Sequence, residues 1–179
     1  MRGEIIETIY LGGGPPSQLS QEELTQIFTY IYKVYQVKED AEITLETNPD
    51  DLTAEYVNTL RQLPINRISM GIQTFQEDTL KILNRRHTAQ QAIEAFQRCR
   101  EAGFDNISID LMYGLPGETL ETWKADLQQA IKLHPEHISA YHLIYEEGTV
   151  LWKLKKQHKV EEADEDLSLS LFSTLIDEL

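Results

Sequence analysis

Chemistry-capable side chains recur at one kind of place along this chain, the end of a short alternating run just before turn residues. Gly12-Gly13-Gly14-Pro15-Pro16 follows Ile5 to Leu11, Glu46 closes Ile43-Thr44-Leu45-Glu46, Gln73 closes Ile68 to Gln73, and Asp110 closes Ile107-Ser108-Ile109-Asp110. A fifth group lies around His142 to Glu146. Two carboxylates, a carboxamide and a glycine-exposed backbone edge are acceptors and donors for a polar ligand carrying amine and hydroxyl groups. A structural alternative has Glu46 and Asp110 paired with Arg67 or Arg85 as rim ion pairs, with no ligand. The glycine run fits neither G-x-G-x-x-G nor a phosphate loop, which needs a lysine after its glycines. Cys99 stands alone in a helical run, which excludes an internal disulfide and any site built from several thiolates of this chain. His87 and His142 read as structural histidines rather than ligands.

Five strand–helix alternations would position these groups. Strands are expected at Ile5 to Leu11, Ala41 to Glu46, Arg67 to Gln73, Asn106 to Tyr113 and His137 to Tyr145. Between them, Ser20 and Glu23 fit a capping box opening a helix to Tyr35. Further helices are read at Leu52 to Leu63, Glu77 to Leu83, Thr88 to Ala102 with Gly103 as a left-handed cap, and Thr119 to Leu133. Such alternation means parallel pairing with right-handed crossovers. An open doubly wound sheet competes with a barrel or part of one. The strand pattern favours the barrel, because alternation puts Thr44, Ser69 and Ser108 on one face with Glu46, Gly71, Gln73 and Asp110 further along it. The apolar set then packs outward on helices. Barrel enzymes build their sites at the C-terminal strand ends, where these residues fall.

The chain has 179 residues with a formal charge of −14, which disfavours nucleic-acid backbones as partners. No apolar stretch reaches the roughly 20 residues that span a bilayer, and no secretory signal is visible, so a cytoplasmic location is expected. Lys153, Lys155, Lys156, His158 and Lys159 form a basic run ahead of seven acidic residues between Glu161 and Leu179, both read as solvated helix faces. Leu167 to Leu179 is helical without an end signal, so the chain is expected to stop inside a longer protein.

Six blocks in order resemble one family. They are Tyr10 to Ser17, Glu42 to Pro49, Asn66 to Phe75, Leu83 to His87, Asp110 to Gly117 and Tyr141 to Thr149. They are similar to the radical S-adenosylmethionine (SAM) group that contains oxygen-independent coproporphyrinogen III oxidase and its heme-chaperone relative. The resemblance implies an α/β fold, a partial TIM-like (β/α)6 barrel of which strands two to six are present. It divides the single incomplete domain 1–179 into barrel elements over 1–150 and an acidic helical end over 151–179. It also implies SAM and one [4Fe-4S] cluster in the intact protein. By position, Gly13 and Gly14 would meet the methionine amine, Glu46 would hold the same moiety, Gln73 and Asp110 the ribose hydroxyls, Arg85 the carboxylate, and Ile144 the adenine.

Two departures qualify what the resemblance implies. The family's Cys-x3-Cys-x2-Cys loop has no counterpart in these residues, so the chain alone is expected to hold no cluster, to bind SAM weakly or not at all, and to be inactive. Pro15 replaces a threonine and lacks both hydroxyl and N–H, which withdraws one cofactor contact. Arg85-Arg86-His87, Gly114 to Glu118 and Glu146 to Thr149 look more like the heme-chaperone branch, with heme as partner, than the decarboxylating oxidase acting on a porphyrinogen. A cofactor-free barrel with a structural polar rim is the third reading. Oligomeric state is left open.

Overall fold

Alternating apolar and small polar residues build a five-stranded parallel sheet in the order β1-β2-β3-β4-β5, seen in a computed structural model that describes residues 5–14 and 16–179. The strands are β1 (Ile5–Leu11), β2 (Gln36–Thr47), β3 (Arg67–Gln73), β4 (Ile107–Tyr113) and β5 (His137–His142). A doubly wound sheet would reverse its strand order at a switch point. Here the order follows the chain, and the sheet curls into a half-barrel.

Helices cover the convex face: α1 (Gln21–Val34), α2 (Ala54–Leu60), α3 (Glu77–Ile82), α4 (Ala89–Glu101) and α5 (Leu120–Leu133). The chain then continues through α6 (Val150–Lys156) and α7 (Glu165–Glu178). The expected capping box forms, with the Glu23 amide donating to Ser20 Oγ at 3.3 Å and the Ser20 amide to Glu23 Oε2 at 2.8 Å. Gly103 adopts φ +90° after α4, and the Phe104 amide reaches back to the Cys99 carbonyl at 3.0 Å, closing a Schellman turn.

The sheet has the two faces expected of it. Ile43, Leu45, Ile68, Met70, Ile72, Ile107, Ile109 and Leu111 are each at most 3% exposed and pack with Phe28, Leu60, Phe96 and Trp123 from the helices. Burial of such side chains, at roughly 25 cal/mol per Å² of apolar surface, is the main force holding helices to the strands. Thr44, Ser69 and Ser108 line the concave face.

Two strand boundaries differ from expectation by more than one residue. β2 begins at Gln36, not Ala41, because Gln36 and Val37 pair with Ile5 and Ile6 before a register break. The charged Lys38-Glu39-Asp40 stretch falls in that break and hides the strand from a pattern search. β5 ends at His142, not Tyr145, and the Glu146 amide turns back onto the Ile144 carbonyl. Across the end of the chain, Lys155 pairs with Glu162, and α7 seals α5 by placing the Leu171 carbonyl 3.0 Å from Trp123 Nε1.

Candidate functional site

The strand ends open into one cleft of about 480 Å³ on the concave side. Gly13, Gly14, Glu46, Gln73, Arg85 and Asp110 all line it. Ile144 does not: it lies beyond the end of β5, 73% exposed, outside the cleft. Pro15 lies outside the described residues.

Glu46 is fixed from two sides. Tyr10 Oη donates to its Oε1 at 2.7 Å, and the Gly13 amide donates to Oε2 at 3.2 Å. The carboxylate rests on Gly12, where any Cβ would stand 2.7 Å from Glu46 Cδ. That glycine is therefore needed for close approach of a side chain. Gly13 adopts φ +86°, a conformation that glycine enters without steric cost and that turns its amide toward Glu46.

Gln73 reaches the cleft by an unusual backbone. The β3–β4 register slips between Gly71 and Gln73, and Gln73 sits at φ +74°, uncommon for a residue with a side chain. Arg85 enters from the segment after α3, and its Nη2 donates to Asn48 Oδ1 and to the Gly71 carbonyl, both at 2.8 Å. Those bonds use one nitrogen of a five-donor guanidinium and leave the others for a ligand. Burial lowers the Arg85 pKa from its usual value, with Asp50 opposing the shift.

Asp110 lies on the concave face of β4, opposite Gly71 and Ser139. Its pKa is raised, first by burial and also by the Glu46 charge, while the Ser139 and Ser69 hydroxyls pull it down. The ion-pair alternative is not what forms. Among the described residues, Arg67 pairs with Glu42 at 3.9 Å, Arg85 bonds amide and carbonyl oxygens, and neither Glu46 nor Asp110 has a cationic partner. Just below Asp110, Ser108 Oγ is buried with no hydrogen-bond partner.

The two histidines are built into the framework. His87 is 3% exposed, with Nε2 3.2 Å from the Ile72 carbonyl, and burial lowers its pKa. His142 packs edge-on against Tyr113 and meets Ser168 Oγ at 3.1 Å. Sequence reasoning missed Tyr10, Ser17 and Asn48 as parts of the rim. Tyr10 could have been found, since it is paired with Thr44 and so shares the face of Glu46.

The donor set suits SAM: carboxylates for an ammonium and a diol, a guanidinium for a carboxylate, and an exposed backbone edge. It does not suit an iron–sulfur cluster, which needs thiolates. Cys99 is fully buried within α4, its thiol pushed up to about 12 by burial, and the described residues contain no metal-binding cluster of histidine, cysteine and carboxylate.

Comparison with known proteins agrees with this chemistry. Residues 1–130 match the family model of the radical SAM superfamily. The chain is 41% identical over 156 residues to the heme chaperone HemW of Bacillus subtilis (strain 168), covering 87% of this chain and 41% of that protein. It is 38% identical over 174 residues to HemW of Lactococcus lactis subsp. lactis (strain IL1403), covering 97% of this chain and 46% of that one. The chain thus spans less than half the length of these relatives. The solved structure of coproporphyrinogen III oxidase (HemN) from Escherichia coli, a radical SAM enzyme, superposes with a TM-score of 0.84 at 25% identity, over 98% of this chain and 40% of that one. On the family match, which takes in residues 1–130 of 179, the chain belongs to the radical SAM superfamily.

Proposed function

We propose that this chain is the SAM-holding core of a heme-related radical SAM protein, a heme-delivery chaperone rather than a porphyrinogen decarboxylase. The observation that carries the reading is the convergence of Glu46, Gln73, Arg85 and Asp110 on one cleft, with neither carboxylate in an ion pair among the described residues. In this reading Gly13, Gly14 and Glu46 take the methionine ammonium, Arg85 its carboxylate, and Asp110 with Gln73 the ribose hydroxyls. Ile144 is given no part. When bound beside a reduced cluster, SAM supplies one-electron hydrogen-abstraction chemistry; the residues here bind and orient it.

The chaperone branch is favoured by the higher identity to proteins named heme chaperone HemW, 41% and 38%, than to a protein of Synechocystis sp. named oxygen-independent coproporphyrinogen III oxidase, 33%. Heme is then the cargo, and the site for it is assigned to no residue of this chain. We read the 179 residues as one unit, with barrel elements over 1–150 and an acidic helical end over 151–179, a reading supported by the packing of α7 on α5. No helix among the described residues is long and apolar enough to cross a membrane, and one buried thiol suits the reducing cytoplasm.

Asp110 provides the test, in cluster-loaded protein expressed with its flanking coding sequence. Hydrogen bonds to a charged group contribute about 1.5–3 kcal/mol, so Asp110→Ala should weaken SAM binding by about tenfold or more. Asp110→Asn, matched in shape, should fall between. Calorimetric Kd and Tm read together decide. A variant with lowered Tm and wild-type SAM affinity ends the cofactor-site reading.

A further inference from the structure

We infer that Tyr10 is a positioning residue that selects the amino-acid end of the ligand, acting through Glu46. The inference rests on the SAM reading of the cleft. Tyr10 lies on β1 beside Thr44 of β2, and neighbours in a parallel sheet share a face, so its ring points to the concave side where Glu46 lies. Its hydroxyl donates to Glu46 Oε1 at 2.7 Å, while the Gly13 amide holds Oε2 at 3.2 Å. A carboxylate offers about four acceptor positions, so two stay open after these bonds are made. The tyrosine therefore does not fill the site. It fixes the plane of the carboxylate and leaves the remaining lone pairs on the cleft side, ready for an ammonium.

Three features argue that this bond serves orientation more than folding. The Tyr10 side chain is not part of the core, since the residue is 56% exposed. Glu46 makes no ion pair that could fix it otherwise among the described residues. Finally, the phenol keeps its proton: burial, then the bond to Glu46, push its pKa up to about 12, so it remains a donor throughout the working pH range. A phenylalanine would keep the ring and its packing while removing the donor.

Two ligands separate positioning from structural support. SAM carries the ammonium; 5′-methylthioadenosine shares the nucleoside and sulfur but has no amino-acid group. Calorimetric Kd values for both are measured on wild type, Tyr10→Phe, Glu46→Gln and the double variant, in cluster-loaded protein expressed with its flanking sequence, alongside Tm. Tyr10→Phe should weaken SAM by about five- to tenfold and 5′-methylthioadenosine by less than about twofold, with Tm nearly unchanged. Adding it to Glu46→Gln should cost little more, because residues acting through one another are not additive. Wild-type SAM affinity in Tyr10→Phe, or equal losses for both ligands, overturns the inference while leaving the SAM site intact. Absence of SAM binding in the wild type overturns both.

Discussion

Gly12 shows how one missing methyl sets the chemistry of the rim. A Cβ there would lie 2.7 Å from Glu46 Cδ and 2.8 Å from both carboxylate oxygens, so the side chain would have to leave. Gly12 itself has no positive φ, and alanine suits its backbone. Gly12→Ala is therefore expected to spare Tm within a few degrees yet weaken SAM binding by about tenfold, through loss of the Glu46 contact. A variant that unfolds instead would show that the Glu46 seat supports the fold. At this scale most of the rim was legible. Alternation alone placed Thr44, Ser69, Ser108, Glu46, Gly71, Gln73 and Asp110 on the concave face, because a strand has only two faces. Gln73 lines the cleft as expected, but its backbone was not foreseen. Its register partner is Leu111, whose side chain is in the outward core, so the strand slips by one residue before Gln73, which sits at a φ of +74°. Periodicity contains no signal for that slip.

The elements were legible where their ends carry specific hydrogen-bond partners, as at Ser20, Thr88 and Gly103, and less so where charge or apolarity misled. Lys38 to Asp40 concealed the first part of β2, and the apolar Leu143-Ile144 overextended β5. The turn after β4 carries a chemical feature of its own. Glu118 Oε2 accepts from the Gly114 amide at 2.6 Å and the Leu115 amide at 3.2 Å, fastening the turn between β4 and α5. Burial, more than the nearby Asp126 charge, raises its pKa from 4.5 to about 7. A raised carboxyl pKa means that the folded state keeps the proton longer than the unfolded state does. The stabilisation is full below about pH 4.5 and is lost as pH rises through about 7. Glu118→Gln, which keeps the acceptor oxygen without the charge, should therefore flatten the fall in Tm between pH 5 and pH 8. Some slope should persist, because burial raises Asp110 and Asp126 in the same direction. Equal slopes in variant and wild type would remove Glu118 from the account.

At the scale of the whole molecule, five of the six sequence blocks read in order supply strand ends and adjoining segments that the fold gathers around one cleft, while Tyr141 to Thr149 lies outside it, and that shared placement is why the barrel could be seen before any contact was known. The sheet supplies the platform, its strand ends supply acceptors, and the segment after α3 supplies the cation, Arg85. What this arrangement lacks is thiolate. Cys99 has no solvent exposure, packs in the core with Phe96 and Trp123, and has its thiol pushed up to about 12 by burial despite the opposing charges of Arg98 and Arg100. Cluster assembly would need that thiol deprotonated and exposed, and burial opposes both. Residues 1–179 alone, reconstituted anaerobically with iron and sulfide and then desalted, are therefore expected to retain no stoichiometric cluster. Cys99→Ala should behave identically in iron and sulfide analysis. A stable brown species at about one cluster per chain, lost in Cys99→Ala, would mean that α4 opens enough to deliver its thiol and that this chain meets iron away from the cleft described here.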